Sequence, residues 1–162
     1  MSASIFNRLE GSDQFIEVGM NEVDILLPES RKVAIRTQNL NECTSIVVLG
    51  RATILAHVSP MSTSGTKSAE EHHKERLTAI DDMYAKHRGL FPSDTTTWGV
   101  FAKYKGEPMD HIVTQVNNHL SQKGLPVQPA FYNVAKAHTR AAPAGQLVAI
   151  VGQHSTELYL ED

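Results

Sequence analysis

The sequence predicts a layered α/β domain: mixed β-sheets forming a sandwich-like core, with helices packed outside. Three observations predict it. Short β-branched, apolar segments separated by turn residues dominate the first third of the chain. Two segments with helical periodicity come later, each between strands. The length, 162 residues, fits one domain over 1–162 with room for a sizeable core.

The elements follow in order. Residues 1–12 are polar and are expected to be loosely held. Phe15 to Val18 and Val23 to Leu27 read as short strands around Gly19, and Pro28-Glu29-Ser30 marks a turn. Val33 to Thr37 is a third strand. Thr44 to Leu49 and Ala52 to Val58 are the clearest strands, and Gly50-Arg51 between them suits a tight hairpin. The Ser/Thr-rich segment 60–67 is a loop. Ser68, with Glu71 three residues on, starts a helix that runs to about Arg88, with Leu77, Ile80 and Tyr84 on its apolar side. Thr95 to Tyr104 reads as a strand with Trp98 and Phe101 on opposite faces. A second helix has Pro108 in its first turn, a stripe of Met109, Ile112, Val113, Val116 and Leu120, and Gly124 as its C-terminal cap. Val127 to Val134 is a strand that Pro129 places at an edge or bulge. A loop over 135–145 leads to a closing hairpin, 146–151 and 156–160, about Gly152-Gln153.

Composition excludes several function classes. The hydrophobic fraction of 41% and charged fraction of 20% are ordinary for a globular protein. A net charge of −3, with no Lys/Arg run longer than Arg31-Lys32, gives no basis for binding nucleic acid or a membrane surface. No apolar stretch has the length of a transmembrane helix, and charges among the first twenty residues leave no signal-peptide apolar region. A single cysteine cannot form an internal disulfide. These features point to the cytoplasm, export without a standard signal being the other route.

That cysteine, Cys43, stands between Thr37 and His57. A hairpin brings a thiol and an imidazole together, and a nearby His favours the thiolate, so the thiol pKa is expected below the ordinary ~8.5. Register decides whether the two meet. A two-residue loop, Gly50-Arg51, sets 44 opposite 57 and turns an ideally pleated residue 43 to the other face. A three-residue loop, Leu49-Gly50-Arg51, sets 43 directly opposite 57, with Cβ atoms about 5 Å apart.

Around these residues the segment resembles the chemoreceptor glutamine deamidases (CheD-like proteins) and the catalytic domains of the cytotoxic necrotizing factor toxins. Those proteins share a Leu-Ser-Gly-Cys or Leu-Gly-Ser-Cys signature, a Thr shortly before it and a His on a following strand. Here Leu40-Asn41-Glu42-Cys43 occupies the signature, Thr37 lies six residues before the Cys, and Ala56-His57-Val58-Ser59-Pro60 is similar to their Ala-His-x-x-Leu-Pro stretch. Val18-Gly19-Met20-Asn21-Glu22 is similar to their opening strand, and the helix from Pro108 with Gly124-Leu-Pro-Val to their late helix and strand. The close likeness covers residues 37–60. The departure is Asn41-Glu42, where small residues are usual; Glu42 beside the thiol disfavours the thiolate by like charge.

The resemblance implies hydrolysis of a glutamine side chain on a protein substrate, without cofactor or metal. Cys43 would be the nucleophile, His57 the acid–base and Thr37 the group orienting His57. The alternatives are a cysteine peptidase or isopeptidase using the same residues, and a non-catalytic binding module keeping the fold. Other clusters read as structural. Glu71-His72-His73-Lys74-Glu75 lacks the i, i+4 His spacing of a helical zinc site and is expected to be a solvated helix face. His111 and His119 border the apolar stripe, and His138 and His154 fall in or near loops. Ser59, Ser62 and Ser64 lack a nucleophile elbow. Gly99 and Gly106 are isolated rather than part of a phosphate-binding loop.

Overall fold

A computed structural model describes residues 5–134, 145–152 and 155–161. The chain runs α1 (Ile5–Leu9), β1 (Phe15–Glu17), β2 (Val23–Leu26), β3 (Ala34–Thr37), β4 (Thr44–Leu49), β5 (Thr53–Val58), α2 (Ala69–Lys86), β6 (Thr96–Tyr104), β7 (Glu107–Pro108), α3 (Asp110–Gln122), β8 (Val127–Asn133), β9 (Gln146–Val151) and β10 (Thr156–Glu161). A 3₁₀ turn, Arg88–Leu90, follows α2.

The strands form two sheets. One has four strands in the order β1-β3-β9-β10; the other has six, in the order β2-β5-β4-β6 with β7 and β8 both on β6. Period-two alternation sorts the side chains. From β4 and β5, Val47 and Leu55 enter a core between the sheets, with Val18, Ile35, Leu40, Cys43, Val100, Tyr132 and Leu147. Ile46, Val48, Ile54 and Ala56 point the other way, under Leu77 and Ile80 of α2 and Ile112, Val116 and Leu120 of α3. On the far side of the smaller sheet, Phe6 of α1 covers Ala34 and Val148. The order of layers is therefore helix, sheet, sheet, helices, the layered α/β architecture that the strand and helix pattern predicts.

Local chemistry explains most boundaries. Ser68 accepts from the Glu71 N–H, and the Glu71 side chain accepts from the Ser68 N–H, so both halves of the capping box at α2 are present. The Leu125 N–H bonds the Leu120 carbonyl, and Gly124 has φ +77, the left-handed cap that glycine supplies after a helix. Gly99 answers a close approach: a Cβ there would stand 2.5 Å from the Phe101 ring. Trp98 and Phe101 do lie on opposite faces, Trp98 toward the inter-sheet core and Phe101 toward the helices.

Several expectations are corrected. Part of the polar N-terminus is ordered: α1 forms there because Phe6 has an apolar seat against the smaller sheet. Pro108 is not in the first turn of α3; it pairs with Lys103 in β7, and the helix begins at Asp110. The β4–β5 loop is Gly50-Arg51-Ala52, since Leu49 faces Thr53. Pro129, by contrast, lies where expected: among the described residues β8 pairs with β6 alone and forms an edge, where the missing N–H is tolerated. Residues 135–144, with His138, and the hairpin tip residues Gln153 and His154 lie outside the described residues. No helix among the described residues is long and apolar enough to cross a membrane.

Candidate active site

The two sheets meet at Thr37. Ile35 and Thr37 share one face of β3, directed between the sheets, while Ala34 and Arg36 share the other. Arg36 is held on the α1 side by Glu10 at 2.9 Å and Glu17 at 2.6 Å, with its guanidinium 3.9 Å from the Phe15 ring centroid. The Thr37 hydroxyl, at the strand's end, reaches across to β5 and lies 2.7 Å from His57 Nδ1 and 2.7 Å from the Val18 carbonyl. All three groups are buried.

These two contacts fix the proton positions. A carbonyl only accepts, so the single hydroxyl proton of Thr37 goes to Val18. Thr37 Oγ1 then accepts from His57, which places the ring proton on Nδ1. Nε2 is left as a lone pair, the basic form of the ring. It is buried, and among the described residues it has no hydrogen-bond partner, Cys43 included. A buried acceptor without a donor is costly, and such atoms mark positions that call for an explanation.

Cys43 enters from the loop that joins the sheets. The β4–β5 register pairs Ser45 with His57, so Cys43 is two residues from direct opposition and on the same face. Diagonal neighbours of this kind have Cβ atoms roughly 7 Å apart, within reach of longer side chains. The parity is that of the three-residue loop considered above, shifted by one pair. Cys43 belongs to the inter-sheet core with Leu55 and Ile35. Its carbonyl accepts from Tyr132 Oη at 2.5 Å, which ties it to β8.

The loop before Cys43 has an unusual backbone. Asn39 has φ +63 and Glu42 has φ +74. Asparagine tolerates the left-handed region; glutamate does so only at a cost of roughly 1 kcal/mol or more. The strained residue is thus the immediate neighbour of the thiol, where glycine is the natural occupant. The Leu40 N–H bonds the Gly145 carbonyl at 3.0 Å, and a Cβ on Gly145 would stand 2.4 Å from the Leu40 carbonyl oxygen, so β9 presses closely on this loop.

Electrostatics set the resting state. Burial pushes the Cys43 thiol up to about 11; a backbone hydrogen bond from Asn41 opposes this and the Glu42 carboxylate adds to it. Burial pulls His57 down to about 4. The expectation of a thiol pKa below the ordinary value is therefore corrected: desolvation of an almost fully covered thiol is the largest influence on it. The pair rests as neutral thiol and neutral imidazole.

One further expectation changes. His72 and His73 are buried rather than solvated, because the start of α2 packs against the segment after β5. His119 bonds Asp81 at 2.6 Å between α2 and α3, while His111 is exposed. Sequence reasoning missed the Val18 carbonyl, which settles the tautomer of His57, and Tyr132, which holds Cys43 across 89 positions of sequence. A main-chain acceptor leaves no residue-type signal, and nothing near Tyr132 in sequence links it to Cys43.

The class the fold and site define is a layered α/β protein with a buried Thr–His pair and a cysteine on one face of an inter-sheet core. No protein-family model matches the chain, and comparison with curated proteins gives no match.

Proposed function

We propose that the protein is a thiol amidohydrolase acting on glutamine side chains of a protein substrate, with Cys43 as nucleophile, His57 as acid–base and Thr37 as the residue positioning His57. The observation that carries this reading is the orphaned lone pair of His57 Nε2, held in the basic tautomer by Thr37 on the face that also bears Cys43. The resemblance over residues 37–60 supplies the substrate class.

The chemistry starts from neutral partners. Nε2 takes the thiol proton as sulfur bonds the carboxamide carbon, so no thiolate need exist beforehand. The Nδ1–H···Thr37 bond keeps the imidazolium in place, and the Thr37–Val18 bond keeps Thr37 an acceptor. As the C–N bond breaks, the proton passes from Nε2 to the departing ammonia and a thioester remains. A water molecule then attacks the thioester, giving its proton to Nε2. The C–S bond breaks, sulfur recovers the proton, and a glutamate is released.

The test is peptide mass spectrometry of a lysate incubated with the wild-type protein and with Cys43→Ser. The expected outcome is conversion of particular Gln residues to Glu, with ammonia released, only with the wild type. New chain termini that depend on Cys43 would replace this reading with proteolysis. No Cys43-dependent change in any peptide would favour the non-catalytic module.

A further inference from the structure

Between β1 and β2 the chain makes a tight turn, Gly19 to Glu22, that lies directly against the backbone of His57. Asn21 is its centre, with φ +65. Its N–H donates to the His57 carbonyl at 2.5 Å, and the His57 N–H returns a bond to the Glu22 carbonyl at 3.2 Å. Its own carbonyl accepts from Arg76 Nη1 at 2.8 Å. Its side-chain oxygen accepts from the Ser59 N–H at 2.9 Å and lies 3.1 Å from both Ser59 Oγ and His72 Nε2.

The Ser59 N–H can only donate, so it fixes the Asn21 amide with its oxygen toward Ser59. The same oxygen then requires the proton of His72 on Nε2. Ser59 Oγ, 2.7 Å from the Met61 carbonyl and 3.2 Å from His72, completes the cluster. Asn21 is therefore where α2, through His72 and Arg76, meets the strand that carries His57. Val18, immediately before the turn, holds Thr37 through its carbonyl. One turn thus grips both the imidazole's backbone and the group that orients its ring.

Resting on the function proposed above, we infer that Asn21 is a positioning residue for His57. Its left-handed backbone aims the N–H at the His57 carbonyl. Its side-chain amide locks that turn to Ser59 and α2. Burial of His72 and His73 in this region is otherwise unexplained by a solvated helix face, and this role accounts for His72.

The experiment separates backbone from side chain. Asn21→Gly keeps the left-handed backbone and deletes the amide. Asn21→Asp keeps an acceptor oxygen. Nitrogen-15 NMR of the His57 ring reports its tautomer, independently of any substrate. In the wild type, Nδ1 carries the proton and Nε2 is the bare nitrogen. The expected result for Asn21→Gly is a protein that folds but shows a tautomer mixture at His57. It should also label Cys43 with a glutamine-analogue electrophile about tenfold more slowly, as misplacement of a reacting group predicts. Asn21→Asp should restore the single tautomer. His72→Leu, which removes one donor to the Asn21 oxygen from a distance, should give an intermediate mixture and serves if Asn21→Gly does not fold. A wild-type tautomer in Asn21→Gly, or in His72→Leu where that is the variant that folds, would overturn the inference. If wild-type Cys43 does not label at all, the nucleophile reading fails while the NMR result still decides the role of Asn21.

Discussion

Near neutral pH the Cys43 thiol and the His57 imidazole are both uncharged, and the thiol's immediate neighbour in sequence is the exposed Glu42. Its φ of +74 works against the fold, and its carboxylate works against the thiolate. Replacing it with glycine removes both. A left-handed non-glycine residue costs roughly 1–2 kcal/mol, and glycine returns part of that as unfolded-state entropy. Glu42→Gly should therefore raise stability by about 1 kcal/mol, read as a higher urea midpoint. It should also move the Cys43 thiol below its resting value of about 11, read as iodoacetamide modification that begins at lower pH. A destabilised variant with an unchanged alkylation profile would mean that Glu42 makes contacts worth more than its strain. At this scale the sequence was legible in part. The resemblance implied that Thr37 orients His57, and the two bond at 2.7 Å. The loop strain was not legible, because a glutamate gives no sign that its backbone is left-handed.

Elements were read from the sequence about as well as their local signals were strong. β4 and α2 match closely, since β-branched runs and a capping box are short-range physics. The β4–β5 loop was harder. Its strands carry apolar residues on both faces, one toward the helices and one toward the other sheet, so no polar face pins the register. Only the three-residue loop Gly50-Arg51-Ala52 sets it, and with it the face shared by Cys43 and His57. The burial of His72 was invisible for a related reason. It depends on the turn at Asn21, 51 positions earlier, docking on α2.

For the whole molecule, placing the site between two sheets makes its charge state part of the protein's stability. His57 is neutral in the fold down to about 4, whereas in the unfolded chain it takes up a proton near its ordinary 6.5. Its contribution is full above that ordinary value and is lost as pH falls toward 4. One proton's difference corresponds to about 1.4 kcal/mol per pH unit, or about 3 kcal/mol across the window. His72 and His73 are also held down by burial and add with the same sign. Cys43 acts at the other limb: its contribution is present below the ordinary thiol value and is lost as pH rises toward 11. Urea midpoints across the acid range should therefore fall more steeply for the wild type than for His57→Gln, by about one proton. Equal slopes would show that His57 binds its proton alike in both states.

The sandwich itself, with helices outside, followed from the order of strands and helices, but the pairing that creates the site is long-range. β3 belongs to one sheet and β5 to the other, and only the packing of the two sheets lets Thr37 meet His57. The reading of that meeting point as a thiol amidohydrolase is tested most directly by a peptide in which a glutamine carboxamide is replaced by a chloromethyl ketone. The measurement is the rate at which it modifies Cys43 in the wild type, Thr37→Val and His57→Gln, near neutral pH. The account predicts rapid modification in the wild type and a rate about tenfold lower in Thr37→Val, with its fold intact. For His57→Gln it predicts no modification beyond that of a thiol of the same burial. A wild-type rate no greater than that of His57→Gln would contradict it, and would leave Cys43 as a buried residue of the inter-sheet core.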